Sequence, residues 1–433
     1  MSLKTMIRVE EYKLPQHDLP SEKFLHPKKV YLPLSQHIGK PSKELVSLGN
    51  LVDEGELIAK PEGKVSSSLH APKKGKVVAI EYFPHPVLKR YKGITIECQE
   101  EEKKYFRTKD PSLLDKEKIL QIIESAGIVG MGGAGFPTHI KLNPPKKIDT
   151  LIINGCECEP YLACDYRLMV ENTQGVFGGV EIICKILQPK RVFFCIEENK
   201  PEAIKRFNSS ISIKKYDLPS PQIVVLKSCY PQGGEKQLIY KVTKRKVPSG
   251  GLPFDVGCLV QNVATCFSIY QAVYYSKPLI ERLVTFAGDS LFNPKNIWVK
   301  VGTLISELFE QGILQFKKEL RKVILGGPMM GIALDSLDYP ILKTTTGVLF
   351  LSQDRIDQEP EQECIRCARC VDVCPMGLLP LEFVKRVKRG EFEKLDEVFI
   401  KDCIECGCCS WGCPAKIPIV HYIKVGKLYG THR

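Results

Sequence analysis

Eight of the chain's 18 cysteines repeat one spacing near the C-terminus. Cys364, Cys367, Cys370 and Cys374 stand before Pro375; Cys403, Cys406, Cys409 and Cys413 stand before Pro414. Iron–sulfur clusters take thiolate ligands, and a C-x2-C-x2-C-x3-C-P run written twice is the spacing that holds a pair of 4Fe–4S clusters. Three sulfurs of each run then ligate one cubane, and the fourth, just before the proline, ligates the other. The spacing therefore predicts Cys364, Cys367, Cys370 and Cys413 on one cluster, with Cys403, Cys406, Cys409 and Cys374 on the second. Structural zinc also uses CxxC pairs, but it seldom needs three evenly stepped cysteines plus a CP, twice over. Cys408 is an extra thiol, and the x2 step from Cys406 selects Cys409 in its place. This chemistry moves electrons.

A second constellation lies upstream. Gly130, Gly132, Gly133 and Gly135 form a glycine run, with Phe136 at its end and Lys141 beyond. The spacing is not the Rossmann fingerprint, and the run precedes a strand instead of opening a helix after one. Glycines without Cβ atoms still let backbone amides approach a phosphate or a flat ring. Lys141 is placed to meet the same phosphate, and Phe136 to stack on a ring. After the apolar run Thr150–Ile153 come Asn154, Glu157 and Glu159. Carboxylates at the C-terminal end of a strand stand where α/β sheets bind ligands, and they suit ribose hydroxyls. The alternatives are a plain turn and an exposed acidic turn.

Positioning these groups takes several units. At 433 residues the length allows two to four domains. From Lys28 to Cys98 short strands are broken by glycines in a strand–turn–strand pattern. From Lys116 a helix leads into the glycine run. Strands at 150–154, 191–196 and 223–226 then alternate with helical stretches, one of them over 167–187, which argues an α/β core with a mostly parallel sheet. Residues 283–342 read as a small β-rich unit with a single helix. The acidic stretch 354–363 reads as a linker, and 378–399 as one or two amphipathic helices between the cysteine runs.

Composition excludes other classes. Hydrophobic content of 43% and charged content of 26% are ordinary for a globular chain. No apolar run reaches the roughly 18 residues of a membrane span, and Met1 to Glu10 has no apolar core of a signal peptide. The expectation is an unexported, cytosolic chain whose thiols serve metal, not disulfides. A formal charge of +12 suits an acidic protein partner or a membrane surface. No aromatic-and-basic repeat of a nucleic-acid module is present, so no nucleic acid is expected.

The glycine run 130–138 with Lys141, followed by Asn154-Gly-Cys-Glu-Cys-Glu-Pro160, resembles the flavin- and NADH-binding subunit of respiratory complex I. The chain resembles the C subunit of Rnf electron-transport complexes more closely still. Segments 33–39, 247–253, 261–263 and 326–331 also look like that family, as does the order of units. His70 to Ile80 resembles the second half of a biotinyl/lipoyl-like barrel sandwich; Lys64 near the hairpin tip lacks the flanking residues of a modified lysine.

The resemblance implies a multidomain α/β architecture. A barrel-sandwich N-terminal module spans 1–100 and a flavin-subunit-like α/β core 112–280. A soluble-ligand-binding β-grasp unit spans 281–345 and a two-cluster ferredoxin-like domain 355–425. It implies FMN held by Gly130, Gly132, Gly133 and Gly135, with Lys141, Asn154, Gly234, Glu235 and Asn262 completing the pocket. NAD(H) would stack on the flavin, with Phe136 near adenine and Glu157 and Glu159 near ribose or nicotinamide. Three positions depart from the complex I pattern: Met131 replaces an arginine, Cys156 an aspartate, and Lys236 a glutamate. The implied function is peripheral electron transfer between NAD(H), FMN and two 4Fe–4S clusters. The chain would act within an ion-translocating NAD:ferredoxin oxidoreductase, beside membrane subunits on the cytoplasmic face and with ferredoxin as indirect partner. A related cobalamin reductase carries its cluster segment before the β-grasp unit, whereas here it comes last. A cluster-based sensor or adaptor that binds no nucleotide is the reading from another class. Cys98, Cys184, Cys195, Cys258 and Cys266 read as buried hydrophobes, and His37 and His70 as hydrogen-bonding groups at turns.

Overall fold

The computed structural model describes residues 6–101, 103–107, 110–213 and 216–430. Apolar residues alternating along short strands build the N-terminal sandwich. Lys29–Pro33, Lys89–Cys98, Gly75–His85 and Leu51–Val52 form one antiparallel sheet, and Lys43–Glu44, Leu57–Lys60 and Leu69–His70 the facing one. Their inward side chains, including Val30, Leu32, Ile58, Val77, Ile94 and Ile96, make one dry core. The two-residue period of a strand turns alternate side chains inward, so one face of each sheet supplies that core. Lys64 is exposed at the hairpin bend.

Four parallel strands run Pro221–Leu226, Arg191–Glu197, Thr150–Gly155, Cys258–Asn262 across the central sheet. Parallel strands covered on both faces read as continuous apolar runs, as Leu151, Ile152 and Ile153 do. The register sets Asn154 opposite Asn262 at the carboxyl ends. Helices Lys116–Ser125, Thr173–Leu187 and Val263–Tyr275 share the larger core on one face, while Glu235–Thr243 covers the other. The single helix expected over 167–187 is two, Cys164–Glu171 and Thr173–Leu187. Asn172 leaves the helical region (φ −126°, ψ 34°), and Thr173 Oγ1 bonds back to the Met169 carbonyl at 2.6 Å.

A six-stranded sheet follows in the order Glu22–Phe24, Lys295–Lys300, Glu281–Ala287, Gly347–Leu351, Lys322–Leu325, Ile332–Leu334. It carries the helix Ile305–Glu310. The N-terminal segment therefore reaches past the sandwich and adds an edge strand here. A buried ion pair, Lys300 Nζ to Glu54 Oε1 at 2.9 Å, ties this sheet to the sandwich. The C-terminal unit packs helices Pro380–Lys388 and Ile419–Gly430 around Phe383, Leu395 and Ile423. Between its cysteine runs one helix forms, then three short 3-10 turns at 392–394, 396–398 and 400–402. Left-handed residues Gly390 (φ 72°) and Phe399 (φ 62°) break the chain there. Among the described residues no helix is long and apolar enough to cross a membrane.

Candidate functional site

The glycine run is a turn closed on itself. Gly130 N–H donates to the Phe136 carbonyl at 2.9 Å, and Val129 bridges Pro137. Met131 anchors it: its N–H donates to Thr265 Oγ1 at 3.0 Å, and its side chain is buried in the helical core. That apolar socket is why the position holds methionine. The glycines then divide. A Cβ on Gly135 (φ 71°) would press on Thr344, in the loop before Gly347–Leu351, at 2.8 Å, and one on Gly132 would meet Asn262 at 3.1 Å. At Gly133 no protein atom lies within 4 Å, and at Gly130 the nearest is 3.6 Å away. Packing against the rest of the protein does not require glycine at those two positions, and the backbone there stands open or partly open to solvent. Phe136 is 37% exposed at the rim.

The facing residues converge on this turn from the strand ends. Asn154 Nδ2 donates to the Gly233 carbonyl at 2.9 Å, and its Oδ1 accepts from Cys156 N at 3.2 Å. Asn262 Oδ1 caps the helix Val263–Tyr275 through Ala264 N–H at 2.8 Å, and its Nδ2 donates to Asp165 at 2.6 Å. Lys141 Nζ pairs with Glu235 at 2.9 Å, at the start of the helix Glu235–Thr243 that follows Gly234. Contacts and sheet register thus link Gly132 to Asn262, Asn262 to Asn154 and Asn154 to Gly233, two residues before Glu235 and its partner Lys141.

The acidic turn is not a free tip. Glu157, left-handed at φ 48°, caps the helix Cys164–Glu171: its carboxylate accepts from Asp165 N at 2.7 Å and Tyr166 N at 3.1 Å. Glu159 accepts from Met329 N at 3.1 Å and Met330 N at 3.0 Å. Burial raises its carboxyl to about 7 against the pull of those two N–H groups. Both carboxylates therefore stand half-buried in structural bonds, and contact with a nucleotide would compete with those bonds. Below them lies a charged group that sequence reading missed. Buried Lys13 donates to the Glu157 and Leu162 carbonyls, each at 2.7 Å, Lys200 pairs with Glu197 at 3.1 Å, and burial next to Glu157 raises Asp165 to about 7. Asp165 stands in the first turn of the helix Cys164–Glu171, where an acidic residue is a helix-start signal open to sequence reading; Lys13 had none. Burial pushes the Cys158 thiol up to about 12 and raises those of Cys156 and Cys164 well above the ordinary cysteine value, so these three behave as neutral thiols.

The eight cluster cysteines sort into two cavities. One is lined by Cys364, Cys367, Cys370 and Cys413. The other is lined by Cys374, Cys403, Cys406 and Cys409, with Cys408 alongside. Each run thus lends its last cysteine to the other's cavity. A donor set of thiols alone, four to a cavity, fits an iron–sulfur cubane. Amide groups already point at the sulfurs: Arg366 N, Leu378 N and Glu405 N lie 3.4 Å from Cys364, Cys374 and Cys403. Such N–H···S bonds tune cluster potentials. Cys408 is wholly buried, packed with Ile7 and Tyr230 of the preceding units.

The second cavity is also the one seated on the core. Asp402 accepts from Lys236 Nζ at 3.5 Å and Gly250 N at 3.4 Å, and bonds Ser249 Oγ. Gln237 Nε2 reaches Met376 Sδ at 2.8 Å. Lysine at 236 thus serves the contact with the cluster unit, and segment 247–253 supplies its other half. Segment 326–331 holds Glu159 and, through Met329, the wall of the second cysteine loop.

Three family models match in chain order. Residues 1–101 match an RnfC barrel sandwich hybrid domain, 123–271 a Nuo51 FMN-binding domain, and 363–417 a 4Fe-4S dicluster domain. The C subunit of a proton-translocating ferredoxin:NAD(+) oxidoreductase complex from Clostridium ljungdahlii is 44% identical over 404 residues, covering 92% of this chain and 87% of that one. Its Na(+)-translocating counterpart from Acetobacterium woodii is 38% identical over 411 residues, covering 93% and 90%. The longer C subunit of the ion-translocating oxidoreductase complex of Pseudomonas aeruginosa is 40% identical over 421 residues, which is 94% of this chain and 53% of the relative. Among solved structures, an NAD+-reducing [NiFe]-hydrogenase in its H2-reduced state superposes with a TM-score of 0.52 at 17% identity. The match covers 73% of this chain and 64% of that chain, and it bears on the fold alone. With relatives this similar along most of its length, the chain belongs to the family of C subunits of Rnf-type ion-translocating ferredoxin:NAD+ oxidoreductase complexes.

Proposed function

We propose that this protein exchanges electrons between NAD(H) and the rest of its complex through one FMN and two 4Fe–4S clusters. The chain is an electron-transfer subunit with an FMN-binding domain and a 4Fe-4S dicluster domain. FMN, when bound, supplies the exchange between hydride pairs and single electrons that iron–sulfur chemistry lacks. Gly130 and Gly133 leave the backbone bare for it, and Lys141, paired with Glu235, would supply a cation to its phosphate. Asn154 and Asn262, locked by their own hydrogen bonds, hold fixed amide dipoles at the strand ends. Phe136 offers a partly exposed ring for the nucleotide base, and Glu157 and Glu159 would meet ribose or nicotinamide only by giving up bonds to Asp165 N and Met329 N.

The observation that carries this reading is the sorting of eight cysteines, four and four, into two cavities, one of them seated against the α/β core. The set Cys374, Cys403, Cys406 and Cys409 would hold the inner cluster and Cys364, Cys367, Cys370 and Cys413 the outer one. We further assign the units 1–100, 112–280, 281–345 and 355–425. The protein would sit on the cytoplasmic face of the plasma membrane, against membrane subunits of the complex, with ferredoxin as indirect partner. Anaerobic purification with iron, sulfide and flavin counts, then NADH titration, tests the whole. About eight irons and one FMN, bleached by NADH, are expected. Clusters that stay oxidised under NADH would sink the input site, and folded protein without flavin would favour the sensor reading.

A further inference from the structure

The two cysteine loops are copies of one another. Cys364-Ile-Arg-Cys-Ala-Arg-Cys370 aligns on Cys403-Ile-Glu-Cys-Gly-Cys-Cys409, matching Arg366 to Glu405, Ala368 to Gly407 and Arg369 to Cys408. Their backbones repeat as well. Arg366 (φ 56°) and Ala368 (φ 62°) turn left-handed where Glu405 (φ 56°) and Gly407 (φ 82°) do. In each loop the residue two past the first cysteine donates its N–H to that sulfur at 3.4 Å. Loops of one shape present one shape of face.

The face of the second loop is covered. Ile404, Cys406 and Cys408 pack on Ile7, Tyr230 and Met329, and Gly407 lacks a Cβ where the Met329 carbonyl comes against it. The equivalent face of the first loop is bare. Ile365, the counterpart of Ile404, is 67% exposed, and Leu379 across the same cavity is 52% exposed. Arg366, Cys367, Ala368 and Arg369 are exposed too. Large apolar side chains standing in solvent inside a polar rim mark an interaction site.

Charge says what fits there. The covered loop carries a carboxylate and a thiol where the bare loop carries two guanidinium groups. The carboxylates of Glu361 and Glu382 close by are already paired with Lys388 and Lys385, each at 2.7 Å. Arginine is the cation that pairs with carboxylates in bidentate fashion at interfaces. Building on the electron-transfer reading above, we propose that this face, centred on Ile365 and flanked by Arg366 and Arg369, docks an electron-transfer protein of the same complex. That partner presents carboxylates around its own redox centre. Ala368 stands where close backbone approach demanded glycine in the covered copy, so the partner meets this loop through side chains.

The test uses the full chain co-purified in detergent with the other subunits of its complex. Zero-length carbodiimide cross-linking joins lysine amines to carboxylates. The expected product links Lys385 or Lys388 to Asp or Glu of a subunit that carries a cluster or flavin. The double variant R366E/R369E is expected to lower the amount of this chain retained through a 0.3 M salt wash at least tenfold. Arg366→Glu copies the residue already present in the same left-handed turn at Glu405, so iron content should hold; Ile365→Ser serves as a second, uncharged disruption with the same expected direction. Retention of both variants at the wild-type level, with cross-links elsewhere, would overturn the proposal. So would absence of such links together with wild-type binding to phosphatidylglycerol vesicles that the double variant loses, which would make the face a membrane contact. Flavin content and reduction of the flavin by NADH in the isolated variant should match wild type, so failure to dock is distinguishable from failure of the electron-input reading.

Discussion

At the scale of single residues, the flavin turn separates glycines needed by the protein from those needed by a ligand. Gly135 is left-handed and Gly132 abuts Asn262, whereas Gly133 faces open space. A Cβ at Gly133 therefore meets no protein atom within 4 Å beyond its chain neighbours. Gly133→Val is expected to leave the melting temperature and iron content unchanged while the flavin-to-protein ratio falls more than tenfold, measured by absorbance after denaturation. Equal flavin in the variant would remove this turn from the site. Cys408 offers the complementary test. It lies beside Cys406 and Cys409 but packs on Ile7 and Tyr230. Cys408→Ser should retain about eight irons, with a lower thermal stability from a hydroxyl placed in an apolar contact. Four irons lost would make Cys408 a ligand and Cys409 the bystander.

At the scale of elements, the helix Thr173–Leu187 lies so close to Val263–Tyr275 that their backbones touch. A Cβ at Gly179 would overlap the Cys266 carbonyl, and one at Gly178 would stand 2.6 Å from the Tyr270 ring. Overpacking a core contact costs about 1–3 kcal/mol, and here backbone must move to relieve it. Gly179→Ala is expected to destabilise by at least the upper part of that range in chemical denaturation of the core. An unchanged midpoint would mean the helices separate without strain. The same pair explains a difference between pattern and structure. The sequence suggested one helical stretch over 167–187, but Asn172 breaks it, and the N-terminus of Cys164–Glu171 meets the Glu157 carboxylate. Helix-forming residues on both sides of Asn172 hide a one-residue break that only the backbone shows.

At the scale of the whole molecule, the units are held together by buried polar groups. Lys343 Nζ, in the loop before Gly347–Leu351, donates to the Ser68 carbonyl of the sandwich at 2.6 Å and the Gly127 carbonyl of the core at 2.7 Å. Beside it, burial first and the Lys343 charge second push the His70 imidazole down to about 3. An unfolded histidine titrates near 6.5. The native state therefore binds fewer protons than the unfolded one between these values, and stability falls as pH drops below about 6.5. His70→Gln should flatten the dependence of melting temperature on pH between about 6.5 and 4, followed by near-ultraviolet dichroism. A slope equal to wild type would remove His70 from the acid sensitivity of this joint.

Much was legible in the residues alone, because some chemistry is local. Cysteine spacing over ten residues dictates which sulfurs a short loop can bring round one cubane, and the CP cysteines reveal the crossover between runs. Alternation within strands and glycines within a turn are equally local, and with them the order of units and the family were within reach. Other properties depend on contacts made across hundreds of residues. Glu157 and Glu159 read as free ligands until the fold brought the amides of Asp165, Tyr166, Met329 and Met330 to them. Lys13, over a hundred residues from the turn it supports, was invisible for the same reason. Two cysteine loops of one spacing and one backbone shape acquired different surroundings only in three dimensions, where packing against Tyr230 and Met329 covered one and left the other, with its two arginines, open to solvent.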